Sequence, residues 1–186
     1  MLLAGVGKER PVVFVTHSMG GLLVKRMLVA TQEPTASEEQ KGMLARTAGV
    51  VFYSTPHRGA QLATSSMMFR YIVLPSLDVQ QLQASKALLD LNDRFHQLSR
   101  RLGVPVLSFG ETESLGIVGE HVRSLVVPPE SSDPGYGRFV IAAGKDHVTV
   151  CKAESTSDIV FISTANFIRE AVRAHGQRKF GLFTHF

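Results

Sequence analysis

A serine hydroxyl is a poor nucleophile unless a base stands beside it. The residues sought first are therefore a serine on a constrained turn, a histidine able to reach it, and a carboxylate to orient that histidine. Thr16-His17-Ser18-Met19-Gly20 supplies the turn. It follows the β-branched run Pro11 to His17 and precedes residues 22–30, where Leu22, Leu23, Met27 and Leu28 recur at helical spacing with Lys25 and Arg26 on the other face. A serine between such a strand and helix stands clear of the sheet with a helix N-terminus beneath it. The Met19 N–H is then placed to donate to an oxyanion. The turn crowds the positions two residues either side of the serine. Gly20 meets that demand, while Thr16 stands where glycine is usual and requires its side chain to tilt away from the helix.

Sites of this kind order their residues nucleophile, acid, base along the chain, with the base after the last strand. His147 fits: residues 139–143 read as the strand, and Gly144-Lys145-Asp146-His147 as the loop after it. The other histidines fit less well. His17 adjoins the nucleophile and is expected on the other side of the turn. His57 comes too early, His96 lies within a helix, His121 lies in a long loop, and His175 and His185 lie in or beyond the last helix. For the acid, Glu111 at the end of the third strand is the first choice. Glu130 and Asp133, after Val126-Val127-Pro128, are alternatives. The acid's task is to fix the imidazole tautomer and stabilise the imidazolium during proton transfer.

The elements that must position these groups follow from the apolar pattern. Strands are predicted at 11–17, 48–54, 104–109 and 138–143, with a short one at Leu125-Val126-Val127. Helices are predicted at 22–30, at 85–102 (Leu88, Leu91, Phe95, Leu98 and Leu102 on one face, Ser85 as N-cap, Gly103 as stop), and at 157–174 with Ile159, Ile162, Phe167, Ile168 and Val172 inward. Gln32 to Gly42 reads as a surface loop, as do residues 110–124. Residues 66–77 read either as a substrate-facing lid or as core. The alternation predicts one α/β domain over residues 1–186, a mostly parallel sheet with helices on both faces.

Several classes of function are disfavoured. Of the 186 residues, 44% are hydrophobic and 19% charged, with net charge +4. That is mildly attractive to anionic surfaces, but no run of five basic residues or basic–aromatic stripe points to nucleic acid. No apolar run approaches the ~20 residues of a membrane span. The opening Met1 to Gly7 has neither the apolar length nor the cleavage pattern of a signal peptide. Cys151 is the single cysteine, so no internal disulfide forms, and it reads as a packed small residue. Gly5-Val6-Gly7-Lys8 lacks the spacing of a phosphate loop, and His147 with Cys151 is too small a set for a metal. No cofactor is expected.

Beyond the turn, the chain carries Gly20-Gly21-Leu22-Leu23-Val24-Lys25, Phe52-Tyr53-Ser54-Thr55-Pro56-His57-Arg58-Gly59, Ser108-Phe109-Gly110-Glu111-Thr112 and Val126-Val127-Pro128-Pro129-Glu130-Ser131. These are followed by Asp146-His147 with Cys151-Lys152, and by Phe167-Ile168-Arg169-Glu170-Ala171. From about Arg10 to Val172 it resembles the C-terminal hydrolase part of the serine active site-containing protein family, akin to lipase-like and GPI-inositol-deacylase-like α/β-hydrolases. The resemblance implies the C-terminal half of an α/β-hydrolase fold, about strands 5 to 8. It also implies ester cleavage or acyl transfer on a lipid ester, such as phosphatidylglycerol remodelling. The setting it implies is the contact region of endoplasmic reticulum and mitochondrion, with a membrane surface as partner of a longer parent. Family members begin their hydrolase domain several strands earlier, so the chain is expected to be N-terminally truncated. It would then lack the second oxyanion donor, which comes from the loop after strand 3; such a loss lowers rates by about 10²–10³. The alternative function is a catalytically inactive fragment that binds a partner through its exposed half-sheet. A protease or thioesterase on the same fold is a third.

Overall fold

Runs rich in apolar residues make the strands β1 (Val12–His17), β2 (Thr47–Tyr53), β3 (Val106–Glu111) and β6 (Arg138–Ala142). They pair in the order β1-β2-β3-β6, every pair parallel. The computed structural model describes residues 10–58, 86–116 and 123–181. The possible lid at 66–77, His121, His185 and the Gly5–Lys8 segment lie outside the described residues. A separate antiparallel pair joins β4 (Leu115–Gly116) to β5 (Arg123–Ser124).

β2 and β3 are buried along their whole length, and their alternate residues feed two cores. Val50, Phe52 and Val106 face one cluster with Phe14, Leu28, Phe95 and Leu98. This side is covered by α1 (Met19–Ala30), α2 (Glu38–Arg46) and α3 (Lys86–Leu102). Val51, Tyr53, Leu107 and Phe109 face the other, against Val160, Phe167 and Ala171 of α5 (Ile159–Gly181). A short helix, α4 (Pro129–Ser132), stands beside β3. Each large apolar side chain buried in this way contributes about 1.5–3 kcal/mol. Among the described residues, β1 and β6 are the sheet edges, and Val15 on β1 is about half exposed.

The α/β arrangement with helices on both faces is as expected, and four local expectations are corrected. First, Gln32 to Gly42 is not all loop: Ser37 opens α2 with a capping box, its hydroxyl accepting from the Gln40 N–H while the Gln40 side chain accepts from the Ser37 N–H. Second, α1 is turned from its expected orientation. Leu23 is 71% exposed and Lys25 is fully buried, so the inward stripe is Leu22, Lys25, Leu28 and Val29. Third, α5 buries Val160, Phe167 and Ala171, whereas Ile159, Ile162 and Val172 are exposed. Fourth, residues 125–127 form no strand, because the N–H groups of Val126 and Val127 bond a carboxylate, as described below.

α3 forms as its heptad-like pattern predicts, with Leu91, Phe95 and Leu98 buried. It stops at Gly103, whose φ of +62° suits glycine, and Val104 N–H returns to the Ser99 carbonyl at 2.8 Å. The third strand runs two residues further than expected, to Glu111, which brings that residue into the sheet's carboxyl edge.

Candidate active site

Parallel strands bring their carboxyl ends together, and ligand sites of open α/β sheets collect there. His17 is the last residue of β1, Glu111 the last of β3, and His147 follows β6 by five residues. The register aligns His17 with Tyr53, Tyr53 with Phe109, and Glu111 with Ala142, so these ends lie level.

Ser18 occupies the step between β1 and α1 with φ 53° and ψ −132°. A non-glycine residue there carries strain of about 1–3 kcal/mol, a cost found mainly at functional positions. Its N–H is held by the Tyr53 carbonyl at 2.8 Å, and its own carbonyl accepts from Gly21 N–H at 3.1 Å. Thr16 is accommodated as the turn requires: its hydroxyl turns to the neighbouring strand and donates to the Val51 carbonyl at 2.8 Å. The close approach falls on Gly21 rather than on Gly20. A Cβ on Gly21 would come within 3.0 Å of the Thr55 and Phe52 side chains, while one on Gly20 meets no described atom within 4 Å beyond its own helix. Met19 is the first residue of α1, so its N–H has no acceptor within the helix.

Three side chains join in a line. His147 Nε2 lies 3.0 Å from Ser18 Oγ, and His147 Nδ1 lies 2.7 Å from Glu111 Oε2. All three residues are buried. The second oxygen of Glu111 accepts from the N–H groups of Val126 and Val127 at 2.8 and 3.0 Å. A buried carboxylate is tolerable when its lone pairs are taken up in this way. The alternatives for the acid stand elsewhere: Glu130 is exposed on α4, and Asp133 accepts from Gly135 N–H at 2.8 Å.

The loop that carries His147 is pinned from several sides. Gly144 turns it with φ +74°. The Lys145 carbonyl accepts from Thr112 and Glu113 N–H at 2.9 and 3.0 Å, tying it to the end of β3. Asp146 Oδ1 accepts from Val148 and Thr149 N–H at 2.9 and 2.8 Å. Burial alone would raise the Asp146 carboxyl, but the Thr149 and Val148 bonds outweigh it and hold it below the usual range.

His17 does not point away from the nucleophile, as the sequence suggested. Its Nε2 lies 2.7 Å from the His147 carbonyl, and the two rings are 4.9 Å apart. Burial, then the neighbouring His147, hold its pKa below the ordinary value. No motif flags this residue, because it sits at a position of the turn that many residue types can fill. Cys151 packs partly buried against the core and reaches no metal set. Among the described residues, no three His, Cys, Asp or Glu side chains converge on a metal position. No helix of the described residues is long and apolar enough to cross a membrane.

Over 171 residues, 91% of its length, the chain is 42% identical to Protein SERAC1 of Danio rerio, and over 170 residues 41% identical to Protein SERAC1 of Homo sapiens. The chain is homologous to SERAC1. It spans about a quarter (25%) of the length of these SERAC1 proteins. No protein-family model matches the chain. Among solved structures, it is similar to the lipase BlEst2 of Bacillus licheniformis, with a TM-score of 0.58 and 17% identity, covering 92% of this chain and 72% of that one. At that identity the likeness speaks for the fold. The parallel four-stranded sheet with its helices is the α/β-hydrolase fold that the chain shares with that lipase.

Proposed function

We propose that this chain carries the nucleophile, acid and base of a serine hydrolase acting on lipid esters. The observation that supports the reading is the line Ser18 Oγ–His147 Nε2 at 3.0 Å and His147 Nδ1–Glu111 Oε2 at 2.7 Å, at the carboxyl end of a parallel sheet. In this reading Ser18 Oγ attacks the ester carbonyl carbon while His147 Nε2 takes its proton. Glu111 accepts from Nδ1–H throughout and so keeps Nε2 free to act as base. The Met19 N–H meets the developing oxyanion at the N-terminus of α1. The alcohol leaves with the proton from His147, and Ser18 is left acylated. Water then completes hydrolysis, or a second alcohol completes acyl transfer. Homology to SERAC1 and the resemblance set out above make a phospholipid the substrate to test, with phosphatidylglycerol remodelling by acyl transfer the specific case.

A fluorophosphonate probe tests the chemistry. It should label the chain at Ser18, found by peptide mapping, and Ser18→Ala should abolish labelling. Failure of the intact chain to react would overturn the proposal. One observation favours a second reading, a partner-binding module. β1 is a sheet edge among the described residues, and Val15 on it is half exposed; such an edge invites strand pairing. That reading expects no labelling and a partner-dependent gain in solubility.

A further inference from the structure

We infer that His17 is a positioning residue, clamping the backbone of His147 so that its ring stays over Ser18. The observation is the 2.7 Å contact between His17 Nε2 and the His147 carbonyl, together with the 4.9 Å approach of the two rings at 43°. A carbonyl only accepts, so His17 Nε2 carries the hydrogen.

What makes this contact matter is where its ends lie. His17 is bonded directly to Ser18, and its partner is the main chain of His147 itself. The His147 loop is fastened to the end of β3 through the Lys145 carbonyl and to itself through Asp146. Neither fastening relates it to β1. The His17 bond does, and it sets the separation between the strand that carries Ser18 and the loop that carries His147. A displacement of about 1 Å at reacting groups lowers rates by about 10²-fold. The charge around His17 suits the task. His147, Glu111 and Lys152 are the titratable groups that act on it, and burial followed by His147 favours its neutral form. A neutral donor leaves room for the imidazolium that forms on His147, where a second cation would oppose it.

The inference rests on the hydrolase reading for its kinetic test only. In the unaltered chain, long-range ¹H–¹⁵N NMR of the imidazoles at pH 7.5 should find His17 as the neutral Nε2–H tautomer. The Nδ1–H tautomer would overturn the clamp regardless of catalysis. His17→Phe keeps a ring and removes the donor, whereas His17→Gln places an amide N–H near the same point. Phosphonate labelling of Ser18 should slow by about 10–100-fold in His17→Phe and recover to within about threefold in His17→Gln. The low-field Nδ1–H resonance of His147, held by Glu111, should broaden in the Phe variant and sharpen again in the Gln variant. An unchanged labelling rate and resonance in His17→Phe would overturn the inference while leaving the hydrolase reading standing. If the intact chain does not label at all, the hydrolase reading fails, and the tautomer and the low-field resonance still decide the clamp.

Discussion

Ser18, His147 and Glu111 lie at the carboxyl end of the sheet. Lys25 and His57 both pack against Phe52 on the face of the sheet that α1 covers, Lys25 about two turns along the helix that Ser18 opens. Both groups of side chains are buried and polar, but they are wired differently. In the first, serine, imidazole and carboxylate follow one another as donor and acceptor, and the carboxylate's other oxygen takes two backbone N–H groups. In the second, Lys25 Nζ donates to Asn92 Oδ1 at 2.6 Å and is ringed by Phe52, Phe95 and Tyr136 at 5.2 to 5.5 Å. Neither ring nitrogen of His57 has a partner among the described residues, and the same holds for the Ser54 and Thr55 hydroxyls. A directional chain can pass a proton. A cage of rings around an amine can only fill space and hold α1 against α3. The two regions should therefore fail in different ways: the first in rate, the second in stability.

The largest effect expected is on rate. Glu111→Gln keeps an oxygen for Val126 and Val127 but turns an N–H₂ group towards His147, which favours the wrong tautomer. Labelling of Ser18 should fall by about 10²–10⁴-fold with the fold retained, by analogy with acid-to-amide changes in serine triads. Glu130→Gln, on the exposed side of α4, should change the rate by less than about twofold. Equal losses in the two variants would break the assignment of the acid.

The difference in wiring also explains what could be read from the sequence. That Ser18, Glu111 and His147 converge was legible because chain order and strand ends constrain such groups, and the constraint survives without knowing the packing. The acid stayed open between Glu111, Glu130 and Asp133 because only the register of β3 shows which carboxylate reaches the imidazole. Lys25 was misplaced because a lysine is almost never fully buried, so charge outweighed its position two places from the exposed Leu23. The orientation of α5 was misread for a related reason: it is apolar on several sides, so spacing alone does not choose a face. His17 was expected on the other side of the turn because its partner is a main-chain carbonyl, which leaves no trace in residue types.

In the second region the expected effect is thermodynamic. Lys25→Ala empties the space between Phe52, Phe95 and Tyr136 and should cost about 2–5 kcal/mol in urea unfolding. Lys25→Met keeps the stem and removes an amine that burial holds well below its ordinary pKa. It should lie within about 1.5 kcal/mol of the parent. Asn92 Oδ1 still accepts from the Tyr136 hydroxyl at 3.2 Å, which limits the loss. If both variants were equally destabilised, the amine's bond to Asn92 would be the contribution that matters, and the cage would not be a packing device.

The smallest effect is a slope. Burial, then Lys25 and Arg58, hold the fully buried His57 well below its ordinary value of 6.5. Unfolding raises that affinity for a proton, so below pH ~6.5 the unfolded chain binds more protons than the folded one and stability rises with pH. The contribution is complete above the unfolded value and is lost as pH falls from there towards the folded one. His17 acts in the same direction, while the lowered carboxyls of Asp146 and Asp158 enter only nearer pH 4 and below. His57→Phe preserves a ring against Phe52, which the imidazole meets edge-on at 4.9 Å, and removes the two unpartnered nitrogens. At pH 7.5 it should leave stability within about 1 kcal/mol, since a buried polar group without partners contributes little by being kept. Between pH 6.5 and 5 the slope of unfolding free energy should flatten by up to one proton, about 1.4 kcal/mol per pH unit. A slope unchanged from the parent would mean that His57 finds a proton acceptor when it protonates. The contrast between a wired site and an unwired one would then no longer hold.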